Sequence, residues 1–146
     1  MNRKRGAVAA SVVAAVMLSA GVAVAAPLTE SQWKKQANAV CKQANKEIEP
    51  IQQEAFAGLG EDERPSPEQL VAFAALFVPV IEDALASIDA LDEPESLRSG
   101  VKKFKVAVTE ALTTIEADPV GIFDGDTDPF TKADKAARKI GLKACS

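Results

Sequence analysis

Two cysteines, Cys41 and Cys145, with nearly all of the patterned chain between them, restrict this sequence more than any other feature. Cys41 falls in the middle of residues 29–51, TESQWKKQANAVCKQANKEIEPI. There Trp33, Ala37, Val40, Cys41, Ala44, Ile48 and Ile51 recur at spacings of three and four, the apolar stripe of an amphipathic helix. Lys34, Lys35, Lys42 and Lys46 lie off that stripe, so Cys41 belongs to the face to be buried. Thr29 and Gln32 have capping-box spacing, and Leu28 and Trp33 sit where a hydrophobic staple forms. Pro50 lacks the amide that would bond to the Lys46 carbonyl, so the helix is expected to kink or end there. Joining the cysteines closes a loop of about a hundred residues, worth ~4–5 kcal/mol by loop-closure entropy. No C-x-x-C pair is present, which favours a structural bond over a redox-active one.

Disulfides require an oxidising compartment, and the first 25 residues supply an address. Arg3, Lys4 and Arg5 precede an apolar run over residues 7–24, and Ala23-Val24-Ala25 has the small-x-small form of a signal-peptidase site. Residues 1–25 are therefore expected to be a signal peptide and 26–146 a single domain. An uncleaved segment acting as an anchor is the rival reading, and the one route to membrane contact. Leu18-Ser19-Ala20 would open a lipoprotein box, but Gly21 stands where the lipidated cysteine must be. The expected location is secreted or in the extracytoplasmic envelope.

After the acidic, proline-punctuated EDERPSP of residues 61–67, Ser66 caps a second helix, with Pro67 at its first position and Gln69 completing the box. The stripe Leu70, Phe73, Phe77, Ile81, Ala84, Ile88 and Leu91 is its predicted core face. Its first half is apolar all round, and Pro79 interrupts it. Such a helix is the innermost of its domain, meets a partner, or lines a cavity. Phe73, Leu76, Phe77 and Val80 are the candidate ligand or partner surface. A third helix is expected from the Asp92–Glu95 capping box, with Pro94 inside it, to near Asp118. Its stripe is Leu97, Val101, Phe104, Val108, Ala111, Leu112 and Ile115. A fourth is expected over residues 129–140, capped by Asp128 and ended by a left-handed Gly141 with apolar Leu142 after it. Strand signals are absent.

Chemistry is thinly represented. Asp124, Asp126 and Asp128 alternate like the start of a calcium loop, but Pro129 and Lys135 stand where that loop needs its glycine and its bidentate glutamate. With no His, hydroxyl or thiol nucleophile systems lack their base, and transition metals lack their usual ligand. Haem is disfavoured too, since both methionines, Met1 and Met17, leave with the signal and Tyr is absent. No cofactor or metal and no enzymatic activity are expected. The chain carries Lys+Arg 17 against Asp+Glu 21 and becomes more acidic once Arg3, Lys4 and Arg5 are lost, which argues against nucleic-acid binding.

The expected fold is all-α, a four-helix up-down bundle with one disulfide joining the first helix to the C-terminal tail. Its pattern resembles uncharacterised small secreted proteins and lipoproteins of high-GC Gram-positive bacteria. The likeness rests on A-x-x-x-C-x-x-x-N at Ala37, Cys41 and Asn45, on Pro79 and on the Leu91-to-Pro94 junction. Its most specific part is D-P-F-x-x-A-x-x-x-A-x-x-x-G-L-x-x-C from Asp128 to Cys145. That resemblance implies an exported helical domain with its cysteines bonded, and brings no activity with it. The expected role is an envelope interaction or structural protein with an unidentified envelope partner. The alternative is a binding module for an apolar small molecule or lipid in a cavity lined by the second helix.

Overall fold

The computed structural model describes residues 27–60, 63–121 and 128–146. The predicted signal peptide, and Asp124 and Asp126 of the aspartate loop, lie outside the described residues. Among the described residues the chain is helical and without strands. The described residues form four helices, α1 (Glu30–Ala55), α2 (Pro67–Asp89), α3 (Arg98–Ala117) and α4 (Thr131–Lys139), with one 3-10 turn at Glu95–Leu97 leading into α3 and another at Lys143–Cys145 after α4. Cys41 and Cys145 are bonded, their Cα atoms 5.2 Å apart.

Two helix starts follow from local chemistry alone. Thr29 Oγ1 accepts from the Gln32 N–H at 3.3 Å and Gln32 Oε1 accepts from the Thr29 N–H at 3.0 Å. Ser66 and Gln69 repeat the exchange at 3.3 and 2.9 Å, so each box satisfies donors that a bare helix start leaves open. α1 continues through Pro50 to Ala55. Pro50 and Lys46 are both exposed, so the lost backbone bond falls where water replaces it.

The other two starts differ from expectation. No capping box forms at Asp92 and Glu95. Pro94 is extended (φ −61°, ψ 140°), and the chain enters α3 through a 3-10 turn that draws Leu97 into the core. α4 begins at Thr131 rather than at Pro129. Asp128 Oδ1 accepts from the Phe130 N–H at 2.9 Å and its carbonyl from the Thr131 N–H at 3.1 Å. Asp128 thus closes a turn ahead of the helix.

The end of α4 directs the tail. Gly141 is left-handed, with φ +82°. The Leu142 N–H reaches the Ala137 carbonyl at 2.9 Å and the Gly141 N–H that of Arg138 at 3.2 Å, the paired bonds of a Schellman end. Leu142 is thereby fully buried, and the turn Lys143–Cys145 lies back on α1.

α1 packs along α2, and α3 along α4, with α2 also against α3. The innermost helix is α3, which buries Val101, Phe104, Ala107, Val108, Ala111, Leu112 and Ile115. α2, for which the apolar pattern allowed that position, buries only Leu70, Ala74, Val78 and Ile88. Phe73, Phe77, Ile81 and Ala84 of its predicted core stripe are half-buried. Trp33 is fully buried, and its indole N–H has no acceptor among the described residues. That orphan costs about 1–3 kcal/mol, which removal of the large ring from water offsets.

Candidate functional site

Each helix turns one stripe toward a shared cleft. α1 offers Cys41, Ala44, Asn45 and Ile48, and α2 offers Phe77, Ile81, Ala84, Leu85 and Ile88. Both sets follow the three-and-four spacing of a single helix face. Phe104 and Val108 of α3 form the back, Phe130, Ala133 and Asp134 one side, and Ala144, Cys145 and Ser146 of the tail complete the wall. The cleft is half open to solvent and has a volume of about 280 Å³. It exists because Ala44, Ala84, Ala133 and Ala144 line it; larger aliphatic side chains there would have closed the core.

The tail wall is held by more than the disulfide. Asn38, one turn before Cys41, donates its amide to the Gly141 carbonyl at 3.0 Å and to the Lys34 carbonyl at 2.8 Å. Its Oδ1 accepts from the Ala144 N–H at 2.8 Å. Asn45, one turn after, donates to the Ala144 carbonyl at 3.1 Å. The two asparagines thus satisfy tail backbone groups that a short 3-10 turn leaves open. Sequence reasoning noted Asn45 only as part of a pattern and missed Asn38. The available signal was two poor helix formers flanking a buried cysteine.

Of the candidate surface, only Phe77 reaches the cavity. Phe73 is half-buried beside it, its ring 5.2 Å from Phe77 and 5.1 Å from Phe56. Phe77 meets Phe130 edge-on at 5.9 Å, so an aromatic row runs from the end of α1 across α2 to the start of α4. Val80 is half-buried outside the cavity lining. Leu76 is 55% exposed and, with Val71, sits on the outer face of α2. Of the aspartates in the calcium-like pattern, Asp128 is described and occupied in its turn.

Among the described residues, Asp134 is the one ionisable side chain on the cavity lining. Partial burial, and then the nearby Asp128 carboxylate, push its pKa up, with Arg138 pulling the other way. A groove of about 470 Å³ between α3 and the start of α4 has Glu110, Asp118, Asp128 and Lys132 on its walls. It is as open as the four-helix cleft and differs in carrying four charged side chains on its walls. Comparison with family models, with curated proteins and with solved structures finds no match for this chain.

Proposed function

We propose that the protein is an exported, non-enzymatic binding module that holds one apolar small molecule or a single lipid chain in the cavity between its helices. The carrying observation is that cavity: about 280 Å³, walled by Phe77, Ile81, Ile88, Phe104 and Phe130, with the disulfide in its rim. An engineered apolar cavity of roughly 150 Å³ suffices for benzene, so this one has room for a slim chain. Helical bundles commonly build their sites between facing helices. The disulfide supports an oxidising location, which agrees with the signal-like residues 1–25 and with the bacterial secreted proteins the pattern resembles. The helices form an up-down bundle in this reading, with the short α2–α3 junction joining adjacent members. Asp134 stands without a second ionisable side chain among the described lining residues, and the Ser146 hydroxyl there is turned to the Lys143 carbonyl with no base beside it, which favours binding over catalysis.

The outer face of α2 supports a second reading, an envelope interaction protein, because Val71 (49%) and Leu76 (55%) stay exposed on a strongly apolar helix. Native mass spectrometry of protein from the culture fluid and the envelope fraction separates the two. The ligand reading expects an adduct of lipid-like mass, absent from an Ala84→Phe variant that fills the cavity. Bare protein in both fractions, or an adduct that survives in Ala84→Phe, defeats it. A dimer that Leu76→Asp dissociates establishes the second reading instead. The same spectrum gives the mass expected for cleavage after Ala25.

A further inference from the structure

The polar side chains on the cavity lining differ in what they have left to offer. Asn45 has committed one amide N–H to the Ala144 carbonyl at 3.1 Å, which orients its amide and leaves its side-chain oxygen as acceptor and its second N–H as donor. Ser146 donates its hydroxyl to the Lys143 carbonyl at 3.2 Å, leaving lone pairs. The Asp134 carboxylate has no hydrogen-bond or ion-pair partner among the described residues. Two charges act on it with opposite sign, Asp128 against its ionisation and Arg138 in favour. The side-chain hydrogen-bonding capacity left on the lining is therefore mostly acceptor, one Asn45 N–H aside, and it is centred on one carboxylate in an apolar wall.

Resting on the ligand-binding reading above, we infer that the occupant is a single-chain amphiphile with a cationic, hydrogen-bond-donating head. The head binds the Asp134 carboxylate and the chain lies between Phe77, Ile88 and Phe104. An ammonium there would supply the partner Asp134 lacks, through a charge-assisted bond beside an apolar lining. A carboxylate head would meet a like charge and acceptor oxygens. A neutral alcohol would donate one hydrogen bond to the carboxylate but bring no opposite charge. Partial burial and Asp128 already disfavour that carboxylate's charge in the fold, and a cationic ligand would offset them.

The test is isothermal titration of the full mature protein at pH 7 with decylammonium, 1-decanol and decanoate, each below its micelle concentration. Decylammonium should bind about tenfold or more tighter than either of the others, because it adds the attraction of opposite charges to the hydrogen bond. Asp134→Asn should bring it down to about the level of 1-decanol and weaken 1-decanol much less. Equal binding of the three, or a preference for the amine that survives Asp134→Asn, overturns the inference and leaves the cavity reading standing. No binding of any of the three removes the cavity reading as well. An amine preference that persists in Ala84→Phe is adsorption to an acidic surface and also overturns it. Ala84→Leu serves if the larger side chain prevents folding, and the panel on the unaltered protein decides if Asp134→Asn does.

Discussion

α2 and α3 are neighbours of similar length, 23 and 20 residues, with opposite relations between composition and burial. α2 is the more apolar, the one helix among the described residues long and apolar enough to cross a membrane by length and composition. Yet only 17% of its most apolar window is buried. α3 alternates its apolar stripe with Arg98, Lys102, Lys103 and Thr109, and that stripe is almost wholly enclosed. Periodicity set the central position, because a narrow stripe has one way to face the core and a uniform cylinder has many. α2 spends its surplus on the cavity wall, through Phe77 and Ile81, and on the outer face, through Val71 and Leu76. Core packing does not account for that surplus, and a bound ligand or a partner would.

The largest effect expected comes from the bond that closes the chain around both helices. Replacing Cys41 and Cys145 together by Ser should cost about 4–5 kcal/mol, the loop-closure value for a span of this length, with helix content retained. It should also expose the difference between the two helices. The tail wall opens beside α2, so hydrogen exchange should rise in α2 before α3. An unchanged denaturation midpoint, or α3 amides exchanging first, would break the comparison. Next comes Phe104→Ala, about 3–5 kcal/mol for a buried ring. The half-buried Phe77→Ala should cost less than half as much. Equal losses in urea titrations would make α2 as much a part of the core as α3.

A third prediction concerns close approach. A Cβ on Gly100 at the start of α3 would collide with Ile140 Cγ2, and Ile140 is buried. Gly100→Ala would ordinarily gain about 1 kcal/mol of helix propensity. Overpacking of about 1–3 kcal/mol opposes that gain, so the variant should come out less stable, with Ile140→Ala relieving the clash in the double variant. On α2, Leu76→Ser should stay within about 0.5 kcal/mol of the parent. A stabilised Gly100→Ala would mean that α3 is not held as tightly as its burial suggests.

These helices also show where sequence reading carries and where it stops. The capping boxes at Thr29 and Ser66 and the left-handed Gly141 are decided within a few residues, and they appear as expected. The α3 start was decided elsewhere. Leu97 had to enter the core directly after Pro94, and a 3-10 turn achieves that where a capped helix at Asp92 would not. The rotation of α2 was hidden because Phe73 and Phe77 look like core residues to any periodicity argument, while the smaller Ala74 and Val78 occupy the contact line. The disulfide followed from there being two cysteines, one of them on a stripe due for burial. The cavity did not, since it depends on Ala44, Ala84, Ala133 and Ala144 meeting from three helices and the tail. Asp134, one charged residue among several on α4, had nothing in its spacing to mark it.

The smallest effects expected are electrostatic, and they sharpen the contrast between the cavity and the approach to α3. Ser96 at that approach donates to Glu30 Oε1 at 2.6 Å, and this bond, then the hydrogen bond and charge of Lys34, hold the Glu30 pKa below its usual value. A lowered carboxylate pKa adds stability above the ordinary glutamate range, and that stability is lost as pH falls through the folded-state value. Asp134 has the opposite sign. Burial first and Asp128 second raise its pKa, so its ionisation disfavours the folded state. Stability is then lost as pH rises from the ordinary aspartate range through the raised value. Both groups meet solvent, which screens the effects. Urea midpoints measured across the acid range should show Glu30→Gln removing part of the rise in stability with pH. Asp134→Asn should steepen that rise by removing an opposing term. If both variants bend the profile the same way, the cavity-facing carboxylate is not under strain. If they bend it oppositely, and a cationic amphiphile cancels the Asp134 effect alone, the unpaired charge and the cavity belong to one site.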